Sequence, residues 1–134
     1  MQSRISNMEK RDIQQWLDHY GEAWIKGDPE QITTLFTETA SYRETPFDDA
    51  LIGRDAIKSY WQEGAADAQE NVEFSSQVWA VDSATAVAGW QAKFTRKQSG
   101  VKVELDGAFR LKFKMISGDL LCESLEEWWH RKES

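Results

Sequence analysis

Glu44 lies in "ASYRETPF", residues 40–47, where a short extended segment sets a carboxyl group among apolar neighbours. Side chains alternate along a strand, so Ala40, Tyr42 and Glu44 point one way and Ser41, Arg43 and Thr45 the other. If Tyr42 faces a core, Glu44 shares it. A carboxyl group directed into an apolar, tryptophan-lined cavity loses hydration. Its pKa then rises toward the range useful for moving protons between carbon and oxygen atoms. Glu44 is therefore a candidate general base. It has a structural reading too, as a helix cap or as the partner of Arg54. Arg43, on the opposite face, belongs to solvent or to a subunit contact.

The walls of such a cavity would come from the tryptophans, of which this small chain has seven. Trp90 lies on an alanine-rich strand face, and its small neighbours Ala86, Ala88 and Ala92 leave room for a packed helix or for a ligand. Trp61, Trp90 and Trp128 are the expected pocket walls, joined in the candidate binding set by Trp24 and Tyr42, because apolar pockets with a few polar groups are the usual small-molecule sites. On the last strand, one of the adjacent Glu126 and Glu127 must face inward if the strand is regular. Glu126 shares parity with Cys122 and Trp128 and is the candidate, although the sequence leaves open which parity faces the cavity. His19 and His130 are the only imidazoles, so no metal site is expected. No nucleophile elbow, phosphate loop or dinucleotide fingerprint occurs, and no cofactor is expected.

Sixteen basic against twenty-three acidic residues give a net charge of −7, which repels nucleic-acid phosphates and anionic membranes. Lys112 and Lys114 beside Arg110 alternate with apolar residues and read as a solvated sheet face. Cys122 is alone, which rules out an internal disulfide and favours a reducing compartment. The N-terminal "MQSRISNMEK" has no signal-peptide core, and no run of about 18 apolar residues occurs anywhere. A soluble, cytoplasmic protein is the expectation, with residues 1–134 as one domain.

These side chains need elements to hold them. Ile13, Leu17, Tyr20 and Trp24 recur at helical spacing and predict an amphipathic helix ending at Gly27. Asp28 then caps a second, short helix with Pro29 at its first position, carrying Ile32, Leu35 and Phe36. A third helix opens at Gly53, turns Ile57, Tyr60 and Trp61 to one face, and fades near Gly64. From Val72 the period is two, with turns at Asp82-Ser83, "KQSG" and "SGD" separating four strands, the last running from Leu120 to about His130. Helices first and a strand meander after predict an α+β domain with helices against one face of an antiparallel sheet.

This order resembles the nuclear-transport-factor-2-like superfamily, and more closely its SnoaL-like members. The similarity rests on "YGEAWIKGDPEQITTLFTETASY", "GRDAIKSYW" and "ESLEEWWH". It implies a cone-shaped barrel, a strongly curved antiparallel or mixed sheet wrapped around three N-terminal helices, with an apolar pocket at the wide end. Steroid isomerases, polyketide cyclases, dehydratases, epoxide hydrolases and pure binding modules share that fold, so the fold alone assigns no activity. Tyr20 and Glu44 are similar in position to the oxyanion-hole tyrosine and catalytic carboxylate of the steroid isomerases. There the third group is a protonated aspartic acid. Here the nearest candidate is Asp106. The pattern departs in three ways. Proline stands two residues after the carboxylate, Glu replaces Asp, and regular alternation puts Asp106 on the polar face with Lys102 and Arg110 unless a bulge at Gly107 turns it inward. Tyr20 also has a plain reading as a core tyrosine with a satisfied hydroxyl.

The resemblance thus implies a protein that binds an apolar, cyclic or polyketide-like compound, with acid–base catalysis by Glu44, Tyr20 and Asp106 as the enzymatic form. The competing expectation is a non-catalytic ligand-binding or association module. A homodimer fits both.

Overall fold

Glu9 opens the first helix by a reciprocal capping box with Asp12, and α1 runs Lys10–Lys26. Its buried face carries Ile13, Trp16, Leu17, Tyr20, Ala23 and Trp24. Gly27 ends it at φ 65°, a left-handed conformation that glycine adopts without a Cβ penalty. The Asp28 carboxylate accepts from the Gln31 backbone N–H at 3.2 Å and starts α2, Pro29–Thr33. Asp28→Ala removes that acceptor and is expected to lower stability by about 1 kcal/mol, readable as a shift of the urea midpoint at constant slope.

Phe36 does not extend α2, as the apolar spacing predicted, but opens β1, Phe36–Arg43. Long-range backbone pairing wins over local periodicity here. The Leu35 carbonyl accepts from Cys122 N–H, and the Phe36 carbonyl accepts from both Nε and Nη2 of Arg54. Arg54 is thereby committed to β1 backbone and does not pair with Glu44. Strand β2 is Leu51–Ile52, and α3 spans Arg54–Trp61 and runs into a π-helical turn, Gln62–Ala66, slightly beyond the expected stop. The remaining strands are β3 Gln69–Asp82, β4 Thr85–Arg96, β5 Lys102–Ile116 and β6 Asp119–Glu133. Ser117 and Gly118, at φ 52° and 85°, form the two-residue hairpin turn between β5 and β6.

This computed structural model describes residues 9–134; the first eight residues of the N-terminal stretch lie outside the described residues. The strands form one sheet in the order β2-β1-β6-β5-β4-β3. All neighbours are antiparallel except β1 and β6, which are parallel, so the sheet is mixed. It is also open, with β2 and β3 at its edges, and the three helices lie before the long strands in the chain. Ala86, Ala88, Trp90, Ala92 and Phe94 of β4 and Val103, Phe109, Leu111 and Phe113 of β5 are buried together with the apolar stripe of α1. No helix among the described residues is long and apolar enough to cross a membrane.

One irregularity in β6 decides the site. Lys112 pairs with Ser124, but the next residue, Phe113, pairs with Cys122, so Glu123 is an extra residue in β6. A one-residue insertion moves every later side chain to the other face of the sheet. Cys122 and Leu125 are both fully buried, and the inward series continues through Glu127.

Candidate functional site

The concave face of the sheet, α1 and α3 enclose a cavity of about 190 Å³. Tyr20 and Trp24 reach it from α1, Tyr60 and Trp61 from α3, Tyr42 and Glu44 from β1 and the bend after it, Trp90 from β4, and Glu127 and Trp129 from β6. The aromatic groups hold one another by edge contacts. Trp61 meets Tyr20 at 5.4 Å and Trp24 at 5.1 Å between ring centroids, both near perpendicular. Trp61 and Trp90 each keep a buried indole N–H with no hydrogen-bond acceptor among the described residues.

Two carboxyl groups stand in this aromatic wall, each held by a tyrosine. The Tyr60 hydroxyl donates to Glu44 Oε2 at 2.5 Å, and the Trp129 indole N–H donates to the Glu44 carbonyl at 3.1 Å. Tyr42 donates to Glu127 Oε1 at 3.0 Å. Because the Tyr42 proton is used there, the 3.0 Å contact between Tyr20 and Tyr42 hydroxyls has Tyr20 as its donor. A directed chain, Tyr20 to Tyr42 to Glu127, therefore ends on one carboxyl oxygen and leaves the other to carry the acid's proton.

Burial sets the ionisation of this chain. Desolvation pushes the Glu127 carboxyl up to about 8; the Tyr42 hydrogen bond opposes this, and the charge of Glu44 adds to it. Desolvation likewise raises Tyr20, Tyr42 and Tyr60 above the ordinary phenol range, so all three remain donors at neutral pH. Glu127 is thus mostly a neutral acid at pH 7 while converting readily to its anion, the condition that suits a group exchanging protons.

The structure brings together Tyr20, Trp24, Tyr42, Glu44, Trp61 and Trp90 at the cavity. It places the other three candidates elsewhere. Glu126 lies on the outer face, where both Nε and Nη2 of Arg110 donate to its Oε1, and Trp128 is 43% exposed with the same guanidinium 5.5 Å from its ring. Parity with Cys122 misleads at both positions because the extra residue Glu123 reverses the facing of all that follows. Asp106 is also outward, accepting from Gln91 on the neighbouring strand. Strand β5 runs through Gly107 in unbroken register with β4 and β6, so no bulge turns Asp106 inward. Gly107 instead makes room for Trp90: a Cβ there would lie 2.8 Å from the indole and 2.5 Å from the Trp128 carbonyl oxygen.

Sequence reasoning missed Glu127, Tyr60 and Trp129 as site residues. Tyr60 was visible on the apolar face of its helix, and Glu127 was visible beside Glu126, but nothing local marks the bulge that chooses between the two. Among the described residues no group of three metal-ligating side chains occurs.

An open mixed sheet, three N-terminal helices on its concave side and an acid-lined cavity between them define a cone fold of the nuclear-transport-factor-2-like superfamily. Within it, the chain belongs to the SnoaL-like domain family, which matches residues 13–119. A scytalone dehydratase-like protein of Novosphingobium aromaticivorans superposes with a TM-score of 0.79 at 18% identity, over 91% of this chain and 85% of its own. SalBIII, an epoxide hydrolase/cyclase-like enzyme of pyran ring formation in the polyether salinomycin, does so at 0.75 and 18% identity, over 91% and 93%. A type 2 hexachlorocyclohexane dehydrochlorinase, LinA, gives 0.78 at 6% identity, over 92% and 87%. At such identities the shared property is the fold. No curated protein matches the sequence.

Proposed function

We propose that this chain is a cofactor-independent acid–base enzyme acting on a small cyclic or polyketide-like compound, by an isomerase, cyclase, dehydratase or hydrolase type of reaction. The observation that carries this reading is Glu127, a buried carboxylic acid on a cavity wall, with one oxygen fixed by Tyr42 and its pKa raised to about 8. Glu127 takes the part that the steroid-isomerase resemblance implied for Asp106, a neutral acid donating to a substrate oxygen. Glu44, oriented by Tyr60, accepts the proton from carbon. Tyr20 acts one step back, as a positioning residue for Tyr42. The cavity is only a little larger than the roughly 150 Å³ that accommodates benzene, so a single substituted ring is the size it favours.

The test does not require the natural substrate. A panel of cyclic ketones in D2O reports proton transfer directly, as deuterium entering next to the carbonyl. Wild-type protein is expected to accelerate this for at least one member, and both Glu127→Gln and Glu44→Gln to lower the acceleration by about 10²- to 10⁴-fold. Rates unchanged by either substitution would remove that residue from the mechanism.

A second reading is favoured by a separate observation. Trp79 and Trp128, 52% and 43% exposed, both stand on the outer face of the sheet, where a second copy of the chain would bury them. Light scattering is expected to give a dimer, and a monomer at micromolar concentration would overturn this association.

A further inference from the structure

The mouth of the cavity differs in chemistry from its interior. Arg96 at the end of β4 and Arg131 near the end of β6 both line it. Each follows the inward parity of its strand: Arg96 continues Ala92 and Phe94, and Arg131 continues Glu127 and Trp129. They converge on one carboxylate, Arg96 Nη2 lying 3.1 Å and Arg131 Nε 3.5 Å from Glu133 Oε2. Two guanidinium groups thus share a single counter-charge, which leaves this three-residue cluster positive by about one unit on a chain whose net charge is −7. The Arg96 guanidinium lies 5.9 Å from the centroid of the Phe94 ring, an apolar support that restricts its motion. Neither arginine makes another ion pair among the described residues.

A surface this acidic gains nothing in solubility from a cationic cluster at its aromatic cavity. The arrangement fits a ligand whose ring enters the aromatic box while an anionic group remains at the mouth. Arginine suits a carboxylate in particular, because its planar fork can donate two parallel hydrogen bonds. Glu127 is held largely neutral at pH 7 and does not repel an anion, whereas the Glu44 carboxylate, to which Tyr60 donates, does, so the anionic group is favoured at the two arginines and not deeper in the cavity.

We infer that Arg96 and Arg131 form a carboxylate-binding clamp at the cavity mouth, and that the ligand is a small ring compound bearing a carboxylate side chain. Glu133 occupies the clamp in the free protein and is displaced, or shared, when ligand binds. This rests on the reading of the cavity as a small-molecule site and narrows its substrate class, but it does not depend on Glu127 or Glu44 being catalytic.

The probes are 3-phenylpropionate and its neutral analogue 3-phenylpropanamide, titrated against the full chain and followed by tryptophan fluorescence excited at long wavelength. The carboxylate is expected to bind at least about 10-fold more tightly than the amide at low salt, with the difference shrinking as salt is raised. Arg96→Gln combined with Arg131→Gln should abolish that preference, and an unchanged far-ultraviolet circular dichroism spectrum shows that the variant is folded. Glu133→Gln, which removes the internal competitor, should tighten carboxylate binding several-fold and leave the amide unaffected.

Equal affinities for the two probes, no binding of either at millimolar concentration, or a preference that survives in the double variant would each overturn the clamp. Deuterium exchange in neutral ketones is independent of these outcomes. Carboxylate preference without exchange would leave a binding protein that has the clamp. Exchange without the preference would leave an enzyme that lacks it.

Discussion

Above pH 8, Glu127→Gln is expected to be more stable than the wild type, and the advantage should vanish in mild acid. The Glu127 carboxyl has an ordinary pKa of 4.5 and a folded-state value of about 8, raised chiefly by desolvation. The native protein therefore holds a proton that the unfolded chain releases between these values. Stability contributed by the neutral acid is fully present below about pH 4.5 and is lost progressively as pH rises through 8. The gap between the two values corresponds to roughly 5 kcal/mol across that window. Glutamine is shaped like the protonated acid, keeps an oxygen to accept from Tyr42, and does not titrate. Urea unfolding from pH 4 to 9 should therefore show a falling wild-type midpoint and a flatter profile for the variant, after allowance for groups common to both. Parallel profiles would mean that Glu127 is solvated in the native state.

The kinetic consequence has the same origin. If neutral Glu127 donates to the substrate oxygen, the wild-type exchange rate falls as pH rises through about 8, and Glu127→Gln shows no such limb. Tyr42→Phe removes the hydrogen bond that favours the anion, and so shifts that limb upward in pH. A merely structural contribution of Tyr42 would lower stability without moving the limb.

Gly107→Ala should destabilise the protein by about 2 to 3 kcal/mol, at the upper end of what overpacking a core usually costs. A methyl group at this inward position would sit 2.5 Å from the Trp128 carbonyl and 2.8 Å from the Trp90 indole. The carbonyl belongs to the paired strand β6 and cannot rotate away, and Trp90 is 2% exposed and stacked at 5.2 Å on Phe109. Strand separation or indole displacement is therefore required. Thermal unfolding reads the loss, and near-ultraviolet circular dichroism should change with it as the Trp90 environment is disturbed. Asp106→Asn, one residue earlier on the outer face, is the control and should fall within about 0.5 kcal/mol of wild type. The opposite ranking would mean that Asp106, not Gly107, faces the interior.

The contrast between these adjacent positions shows what a sequence can and cannot state. The helix over Lys10–Lys26, its stop at Gly27, the Asp28 cap and the hairpin turns are written in local chemistry, through residue spacing, backbone freedom and short polar side chains. The facing of β4 and β5 was legible for the same reason, since an uninterrupted period of two does not depend on the partner strand. Phe36 departs from its helical spacing because, although that spacing continues the stripe of α2, its backbone is claimed by Arg54 and that of Leu35 by Cys122, both far along the chain.

Sequence alone therefore determined the family, the order of the helices and long strands, and the wealth of aromatic residues, and it offered Glu44 and Tyr20 as cavity candidates beside plainer structural readings. Tertiary structure alone decided which carboxyl group of β6 enters that cavity. A bulge is defined by the register of two strands against each other and leaves little mark on either one. Glu123 is extra only because Lys112 and Phe113 pair with Ser124 and Cys122. That single offset turns Glu127 inward to Tyr42, where burial raises its pKa, and turns Glu126 outward, where the Arg110 guanidinium pairs with it.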